Sequence, residues 1–276
     1  MNPKVRKRIT FFSAFLIAAV VFGAMIALAV LLRPQDIEQQ EAEAAFAPGK
    51  SDAITLLVIG TNTQKTAVRT ATLVKFDPEH KKVPVLGLDL RLRATAGGKT
   101  DTLAGLYRYG GAKLLMQAVS SLTGLPTDRY VKADAAAMEK MVNLTGGAVL
   151  ILPGEVKTES FLLKAGRQLL TGAQASAFLR QEEDPQYAAA LVCSMVDRQL
   201  TEQTVGALED VFHHVIDYVE TDFSYADYFN RRRALAYLAK VDQPAQAVKL
   251  TCTEKDGVLE TDAQSLAQVR VAFGAQ

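Results

Sequence analysis

The side chains best placed to bind a ligand follow the ends of the first predicted strands. The apolar run Ile54–Ile59 leads into Gly60-Thr61-Asn62, Arg69 begins the next predicted strand, and a polar loop starts after Leu88. Ligands of α/β proteins bind in crevices beyond the ends of sheet strands. We therefore expect the binding site near the amide of Asn62, the guanidinium of Arg69 and the loop after Leu88.

Histidine and cysteine do not form a metal-binding pattern in this chain. The three histidines, His80, His213 and His214, are divided between a predicted turn and a predicted helix, and the spacing typical of zinc ligands does not occur. The two cysteines permit a disulfide, although Cys193 lies in the mostly apolar run 188–196, where a buried thiol is the usual outcome. We expect no metal held by histidine or cysteine, and the pairing of Cys193 with Cys252 stays open.

Apolar and alternating segments predict the sheet that must hold the site. Residues 54–59 are typical of a strand buried on both faces, and residues 69–76 and 83–88 predict a hairpin with Pro78 in its turn. Further strands at 129–133 and 148–152 alternate with helices. We therefore predict an α/β fold: a three-layer α/β/α extracytoplasmic domain around a central mixed sheet.

The connections and the second half of the chain complete this prediction. Residues 91–101 are predicted as a basic loop, a helix is expected to begin after Gly110-Gly111, and residues 153–172 are predicted as a long connection. Beyond residue 173 the chain is predicted to be helical, with apolar residues on one face of 208–219 and a capping box at Ser224–Asp227. The triplet Arg231-Arg232-Arg233 fits either a solvated helix face or an anionic partner.

The amino-terminal segment predicts a membrane anchor. Residues 9–32 carry no charge and would measure about 36 Å as a helix, enough to cross a hydrocarbon core of about 30 Å. A cleaved signal peptide is the alternative, but its apolar region is shorter. Because basic residues precede the span and acidic ones follow it, we predict a single-pass protein of the plasma membrane. Its parts are a cytoplasmic tail (1–8), a transmembrane helix (9–32), a stalk (33–50) and an extracytoplasmic domain (51–276).

The overall composition argues against nucleic acid as a partner. A formal net charge of +1 gives no general attraction to a polyanion, and the absence of tryptophan argues against base-stacking or sugar-binding platforms. Only eight residues precede the predicted span, which leaves no room for a DNA-recognition helix. We therefore regard an envelope-linked transcriptional regulator as the weakest of three functional hypotheses.

The order of several short motifs resembles the LytR-CpsA-Psr family. The resemblance covers residues 54–273 and rests on Leu56–Asn62, Arg69-Thr70-Ala71, Tyr107–Gly111, Leu144–Ala148 and the segment from Leu170 to Arg180. It implies an envelope protein that handles glycopolymers linked to a polyprenyl-pyrophosphate carrier, with cell-wall peptidoglycan as acceptor. It also implies a magnesium ion and several arginines, since both offset the negative charge that develops when a pyrophosphate bond breaks.

Several charged positions of the family pattern are changed in this chain. Asn62 stands where the family has an aspartate, and Ala71 replaces the aspartate two residues after Arg69. Val192 and Met195 stand where the family has an aspartate and an arginine before the pair Arg198-Gln199. The losses affect charges and leave the glycines and the apolar periodicity in place. They predict a degenerate site in which magnesium is held weakly.

The resemblance assigns roles to nine residues. The expected catalytic residues are Arg69, Arg180 and Arg198. The expected ligand-binding residues are Asn62, Arg91, Lys99 and Gln199, and the expected magnesium ligands are Asp89 and Asp101.

Two hypotheses follow from this assignment. The first is a membrane-anchored protein that binds lipid-linked glycopolymer without efficient transfer. The second is an active, magnesium-dependent glycopolymer (phospho)transferase that acts on lipid pyrophosphate.

Overall fold

The computed structural model describes residues 46–158 and 161–275. None of the helices in these two ranges combines the length and the apolar character that a membrane crossing needs. The predicted tail (1–8), the predicted span (9–32) and most of the predicted stalk (33–50) lie outside the described residues. Beginning at Ala47, the chain forms a compact unit.

Short strands and seven helices alternate along the described residues. In chain order the strands are β1 (Ile54–Thr61), β2 (Val68–Phe76), β3 (Val83–Leu88), β4 (Arg93–Ala96), β5 (Lys99–Thr102), β6 (Arg129–Asp134), β7 (Ala148–Leu152), β8 (Val156–Lys157), β9 (Leu162–Leu163), β10 (Gly166–Leu170), β11 (Glu220–Thr221), β12 (Ala245–Val248), β13 (Cys252–Lys255) and β14 (Val258–Thr261). The helices are α1 (Leu103–Thr123), α2 (Ala135–Leu144), α3 (Gly172–Gln181), α4 (Pro185–Gln199), α5 (Leu208–Ile216), α6 (Tyr225–Leu238) and α7 (Ala263–Ala272).

A six-stranded mixed sheet forms the centre, in the order β11-β6-β1-β2-β3-β12. β1 is parallel to β6 and antiparallel to β2, and β3 is antiparallel to β2 and parallel to β12. The carboxyl ends of β1, β3 and β6 therefore meet the start of β2 at one edge, which we call the carboxyl edge. The opposite edge, where β1 begins, is the amino edge. The predicted α/β class with a central mixed sheet is confirmed.

Helices cover both faces of the sheet because both faces are apolar. Leu57 and Ile59 of β1 are fully buried against α1 and α7. On the other face, Val74 of β2 and Val85 of β3 pack with α4 and α6. Alternate side chains of a strand point to opposite faces, so a single apolar run serves both layers.

The segment predicted as a basic loop is a hairpin instead. β4 and β5 pair antiparallel across Gly97 and Gly98, whose φ angles are 57° and 72°. Two left-handed residues in succession make the tight turn that suits a twisted hairpin. α1 also begins earlier than predicted, at Leu103, with Thr102 as its cap and a kink at the glycine pair. The long connection between residues 153 and 172 contains β8, β9 and β10.

The turn between β2 and β3 holds a buried charge. Asp77 is 1% exposed and accepts hydrogen bonds from Lys75 Nζ (2.7 Å), the His80 ring (3.0 Å) and the His80 amide. Lys75 also donates to the carbonyl of Phe273, which joins the turn to the end of α7. Burial alone would raise the pKa of the Asp77 carboxyl, but the hydrogen bonds from Lys75 and His80 and the Lys75 charge together lower it.

We expect Asp77→Asn to lower the free energy of unfolding by about 2–4 kcal/mol, because Lys75 loses its charged partner. The exposed neighbour Glu79 provides the control, and Glu79→Gln should change stability little. Since the folded pKa of Asp77 lies below its unfolded value, its contribution is present above the unfolded pKa and is lost as the pH falls through the folded pKa. Urea unfolding at pH 7 and at acid pH measures both effects. A difference between the variants that persists unchanged into strong acid would contradict this assignment.

Candidate functional site

Asn62 lies at the carboxyl edge, as predicted, but its side chain is used by the chain itself. Its Oδ1 accepts hydrogen bonds from the amides of Thr66 (2.9 Å) and Ala67 (3.0 Å), and its Nδ2 donates to Gln64 and Thr66. These bonds fix the turn that joins β1 to β2. The amide of Asn62 therefore shapes the edge of the site and has little bonding capacity left for a ligand.

Arg69 is a cation at this edge that is available to a ligand. It is exposed at the start of β2, and its guanidinium has no hydrogen bond or ion pair with any described residue. Arg91, by contrast, holds Asp89 in a fork, with Nε 3.2 Å from Oδ1 and Nη2 2.9 Å from Oδ2. The hydrogen bonds and charge of Asp89 raise the pKa of Arg91. Glu254 lies 3.6 Å from the same guanidinium.

Two further predicted site residues, Lys99 and Asp101, lie on β5. Lys99 Nζ stands over the ring of Tyr109, 4.7 Å from its centroid. The Asp101 carboxylate accepts a hydrogen bond from the Thr102 amide (2.7 Å) and covers the first turn of α1, so closely that a Cβ at Gly105 would lie 2.3 Å from it. An acidic group there is stabilised by the helix dipole.

The carboxylates of Asp89 and Asp101 do not form a site that would bind magnesium tightly. Magnesium needs hard oxygen ligands in octahedral geometry, usually from one or two free carboxylates. The Asp89 carboxylate is occupied by Arg91, and the Asp101 carboxylate is engaged at the start of α1. Ala71 is 1% exposed and belongs to the apolar core on the α1 side. Both predicted magnesium ligands, Asp89 and Asp101, therefore already have contacts within the chain.

The remaining predicted residues are far apart: Arg180 lies on α3, just before the start of α4, whereas Arg198 and Gln199 lie at the end of α4. Arg180 closes α3 and donates to Ser176 (2.9 Å). α4 then begins at Pro185, whose backbone lies against Gly87 near the carboxyl edge. Arg198 is thirteen residues further along, about 20 Å away along the helix axis. The structure therefore does not bring Arg198 together with Arg69 and Arg180.

Arg198 has a structural task at the other end of the helix. Its Nε donates to the carbonyl of Thr145 (3.0 Å) and its Nη2 to that of Gly146 (2.9 Å). These carbonyls follow the last turn of α2, where a cation also interacts favourably with the helix dipole.

An apolar cavity of about 300 Å³ lies between the sheet and helices α2, α4, α5 and α6. Val58, Val74 and Val131 line its sheet side. Met138 and Met141 of α2 and the inner faces of α4, α5 and α6 form the other walls. Asp52 and Arg231 are the charged side chains among its lining residues, and both lie towards the amino edge. The cavity is suited to an apolar ligand or to the apolar part of a larger one.

A sequence model of the LytR_cpsA_psr family matches residues 29–271 of the chain. The chain belongs to the LytR-CpsA-Psr family. It is 25% identical over 214 residues to the "Polyisoprenyl-teichoic acid–peptidoglycan teichoic acid transferase TagU" of Enterococcus faecalis, covering 73% of this chain and 70% of that protein.

Solved structures of family proteins share the fold. The crystal structure of TagV from B. subtilis superposes with a TM-score of 0.67 at 17% identity, covering 83% of this chain and 100% of that one. TagT, solved bound to LI-WTA, superposes with a TM-score of 0.62 at 20% identity, covering 83% and 94% of the two chains. At these identities the likeness establishes the common LytR-CpsA-Psr fold.

The inner face of α4 carries Val192 and Met195, which were expected to replace an aspartate and an arginine of the family pattern. Both side chains line the apolar cavity. The predicted ligand residue Gln199 also lines it, while its carbonyl accepts a hydrogen bond from Thr204. The changes thus extend the apolar wall of the cavity.

The sequence identified the apolar face of α5 but not its role. Leu208, Val211, Phe212, Val215 and Ile216 all line the cavity, and no residue of α5 is fully buried. The periodicity indicates which side of the helix is apolar. The apolar side chains of α5 are only half-buried because they border the cavity. The sequence pattern does not show this.

Proposed function

We propose that the chain is a single-pass envelope protein that binds a polyprenyl-(pyro)phosphate-linked glycopolymer outside the plasma membrane. The apolar cavity is the observation that carries this proposal. Its volume of about 300 Å³ is at the lower end of the range for small-molecule sites, and its lining is almost entirely hydrocarbon. An isoprenoid chain gains about 0.8 kcal/mol for each methylene group that leaves water.

The phosphate groups of the ligand are proposed to contact arginine at the carboxyl edge. Arg69 has its full set of donors available there, and Arg180 makes one hydrogen bond within its own helix. A guanidinium binds phosphate oxygens in a two-pronged geometry that an amide or an ammonium group does not reproduce. The names of the curated relatives, which describe transfer of polyisoprenyl-linked teichoic acid to peptidoglycan, support the same class of ligand and partner.

Binding without efficient transfer is the favoured mode, with a degenerate catalytic site and weakly held magnesium. The position of Ala71 in the core supports this view, since a carboxylate has no place there. The alternative is an active magnesium-dependent glycopolymer (phospho)transferase. It would require Asp89 to leave Arg91, or Asp101 to leave the start of α1, when substrate binds.

One assay separates the two modes. The full chain is incubated with a lipid-pyrophosphate-linked glycopolymer and a peptidoglycan acceptor, with magnesium or with a chelator. We expect saturable binding in both conditions and no product. Magnesium-dependent product would establish the transferase instead.

We expect Arg69→Gln to weaken this binding by about 10- to 100-fold, the value of a charge-assisted phosphate contact. Arg167→Gln is the control, because Arg167 is also exposed but lies on β10, outside the six-stranded sheet. Equal affinities for the two variants would remove Arg69 from the site.

A further inference from the structure

Strand β10 has one open edge, because among the described strands it pairs with β7 alone. Its main contacts with described elements are those with β7 and α3. The other side of β7 is different, since the Val149 amide donates to Ser194 Oγ of α4 at 2.7 Å. An unpaired strand edge is a template to which another strand can add. The open edge of β10 is therefore the place where this two-stranded sheet can be extended.

The register of the two strands shows which backbone groups point outwards. In an antiparallel pair, opposite residues alternate between hydrogen-bonded and non-hydrogen-bonded pairs. Val149 lies opposite Leu169, and its amide donates to Ser194, so Val149 and Leu169 form a non-hydrogen-bonded pair. The pair Ile151–Arg167, two residues further along, is of the same kind. The amides and carbonyls of Arg167 and Leu169 therefore point away from β7, and no described backbone group bonds to them.

The outer face of the same two strands is exposed and largely apolar. Ile151 is 68% exposed and Leu169 is 58% exposed. On the inner face, Leu150, Leu152 and Leu170 are buried in the core beneath α3 and α4. β10 contains no proline that would block pairing. An open edge beside exposed apolar side chains is typical of a site of strand association.

The backbone of this edge is complementary to a second copy of itself. Two β10 strands can meet antiparallel on a twofold axis through Gln168. Arg167 of one copy then lies opposite Leu169 of the other, and the same pair occurs again across the axis. Opposite residues of a hydrogen-bonded pair exchange both of their bonds, so every outward amide and carbonyl of Arg167 and Leu169 finds a partner.

The side chains favour the same register. Gln168 is half-buried and would face its counterpart across the axis, where each amide can both donate and accept. Arg167 would face the apolar Leu169, so like charges do not lie directly opposite each other. An axis through Arg167 would instead set two guanidinium groups against each other. The agreement of backbone and side chains in one self-paired register favours a second copy over an unrelated strand.

We propose that β10 pairs antiparallel with β10 of a second copy of the chain, with Gln168 on the twofold axis. The β7–β10 pairs of the two copies then form one four-stranded sheet. Stable interfaces bury about 800 Å² on each partner, and a five-residue strand provides only part of that area. We therefore expect a weak, reversible dimer. The inference goes beyond the proposed function and does not rest on it.

Single cysteines test the register in the full chain, oxidised in mild detergent. In the Gln168→Cys variant the two cysteines would lie at a non-hydrogen-bonded pair with Cα atoms about 4.5 Å apart, within the range for a disulfide. Arg167→Cys and Leu169→Cys are the matched controls. Both of these positions are more exposed than Gln168, but each is diagonal to its own counterpart, at about 7–8 Å. The unsubstituted chain, which keeps Cys193 and Cys252, gives the background.

We expect the Gln168→Cys variant to form disulfide-linked dimers at least about tenfold faster than either control alone. Mixing the Arg167→Cys and Leu169→Cys chains, each with a different tag, should give a mixed dimer, because these positions lie opposite each other. Dimer formation that follows exposure, slowest in the Gln168→Cys variant, would indicate chance collision and overturn the proposal. Absence of the mixed dimer would also overturn it.

Sedimentation of the full chain in detergent provides an independent readout. Leu169→Lys should raise the dissociation constant of the dimer at least about tenfold, because it removes an apolar contact and sets an ammonium group opposite Arg167 of the other copy. Leu162→Lys is the control, since Leu162 is 54% exposed but lies on β9, outside the β7–β10 pair. Circular dichroism confirms that both variants fold.

An unsubstituted chain that stays monomeric at every concentration would overturn the proposal. Equal effects of Leu169→Lys and Leu162→Lys would overturn it as well, by placing the contact elsewhere. These samples contain no isoprenoid lipid, so a failure of the glycopolymer hypothesis leaves the outcomes unchanged.

Discussion

Filling the cavity with one aromatic ring should weaken the binding of isoprenoid lipid at least about tenfold while the domain stays folded. Val58 lies on the cavity side of β1 and is only half-buried, because its outer atoms face open space. A phenylalanine there would occupy the volume that the ligand needs. Each methylene of ligand chain that is excluded costs about 0.8 kcal/mol, so losing two or more weakens binding at least about tenfold.

The thermal stability of the Val58→Phe variant shows whether a loss of binding comes from a filled cavity or from a damaged fold. The added ring enters existing space and buries apolar surface, so we expect the melting temperature to hold or rise. Val271→Phe is the control, because Val271 is 72% exposed on α7 and its enlargement leaves the cavity unchanged. Binding is measured with a fluorescent polyprenyl phosphate. Undiminished binding by a folded Val58→Phe variant would place the lipid elsewhere.

Restoring the aspartate of the family pattern at position 71 should unfold the domain before it creates a metal site. Ala71 is 1% exposed, pairs with Leu88 of β3 and packs in the core on the α1 side. A carboxylate there has no cationic partner among the described core residues. We expect Ala71→Asp to cost about 3–5 kcal/mol, enough to unfold many domains of this size.

The matching change at Asn62 should be tolerated. Asn62→Asp keeps the Oδ1 that accepts hydrogen bonds from Thr66 and Ala67 and loses the two hydrogen bonds donated by Nδ2.

Ala247→Asp is the control for the Ala71→Asp variant, since Ala247 is an exposed residue of a strand in the same sheet. Denaturant unfolding measures the cost, and calorimetry measures magnesium affinity. A stable Ala71→Asp variant that binds magnesium tightly would show that the site is functional in the family's manner.

The elements that the sequence predicts correctly are those set by local pattern. The hairpin from Arg69 to Leu88 follows from its two strand-forming segments and the turn at Pro78, and the capping box at Ser224 occurs as predicted. The hairpin of β4 and β5 was missed, because its four-residue strands are largely polar and its cue is the turn at Gly97-Gly98. Whether such short strands form depends more on the turn and on the hydrogen bonds between the strands than on their side-chain pattern.

The convergence of charged residues is harder to predict than their presence. Arg180 and Arg198 are close in sequence, but α4 runs from one edge of the sheet to the other and separates them. Asp89 is present as expected, yet its carboxylate is already paired with Arg91, two residues later. Asn62 lies at the predicted edge, but its side chain is already hydrogen-bonded within its own turn. Distances across the fold and competition for partners decide a site, and neither is visible in the order of residues.

Mass spectrometry of the lipids that co-purify with the full chain shows directly whether the protein binds isoprenoid lipid. The unsubstituted chain and the Val58→Phe variant are extracted from membranes in mild detergent and their bound lipids are analysed side by side. We expect polyprenyl phosphate or pyrophosphate species with the unsubstituted chain and a loss of at least about tenfold in the variant. Absence of isoprenoid lipid from the unsubstituted chain, or equal amounts in both samples, would contradict it.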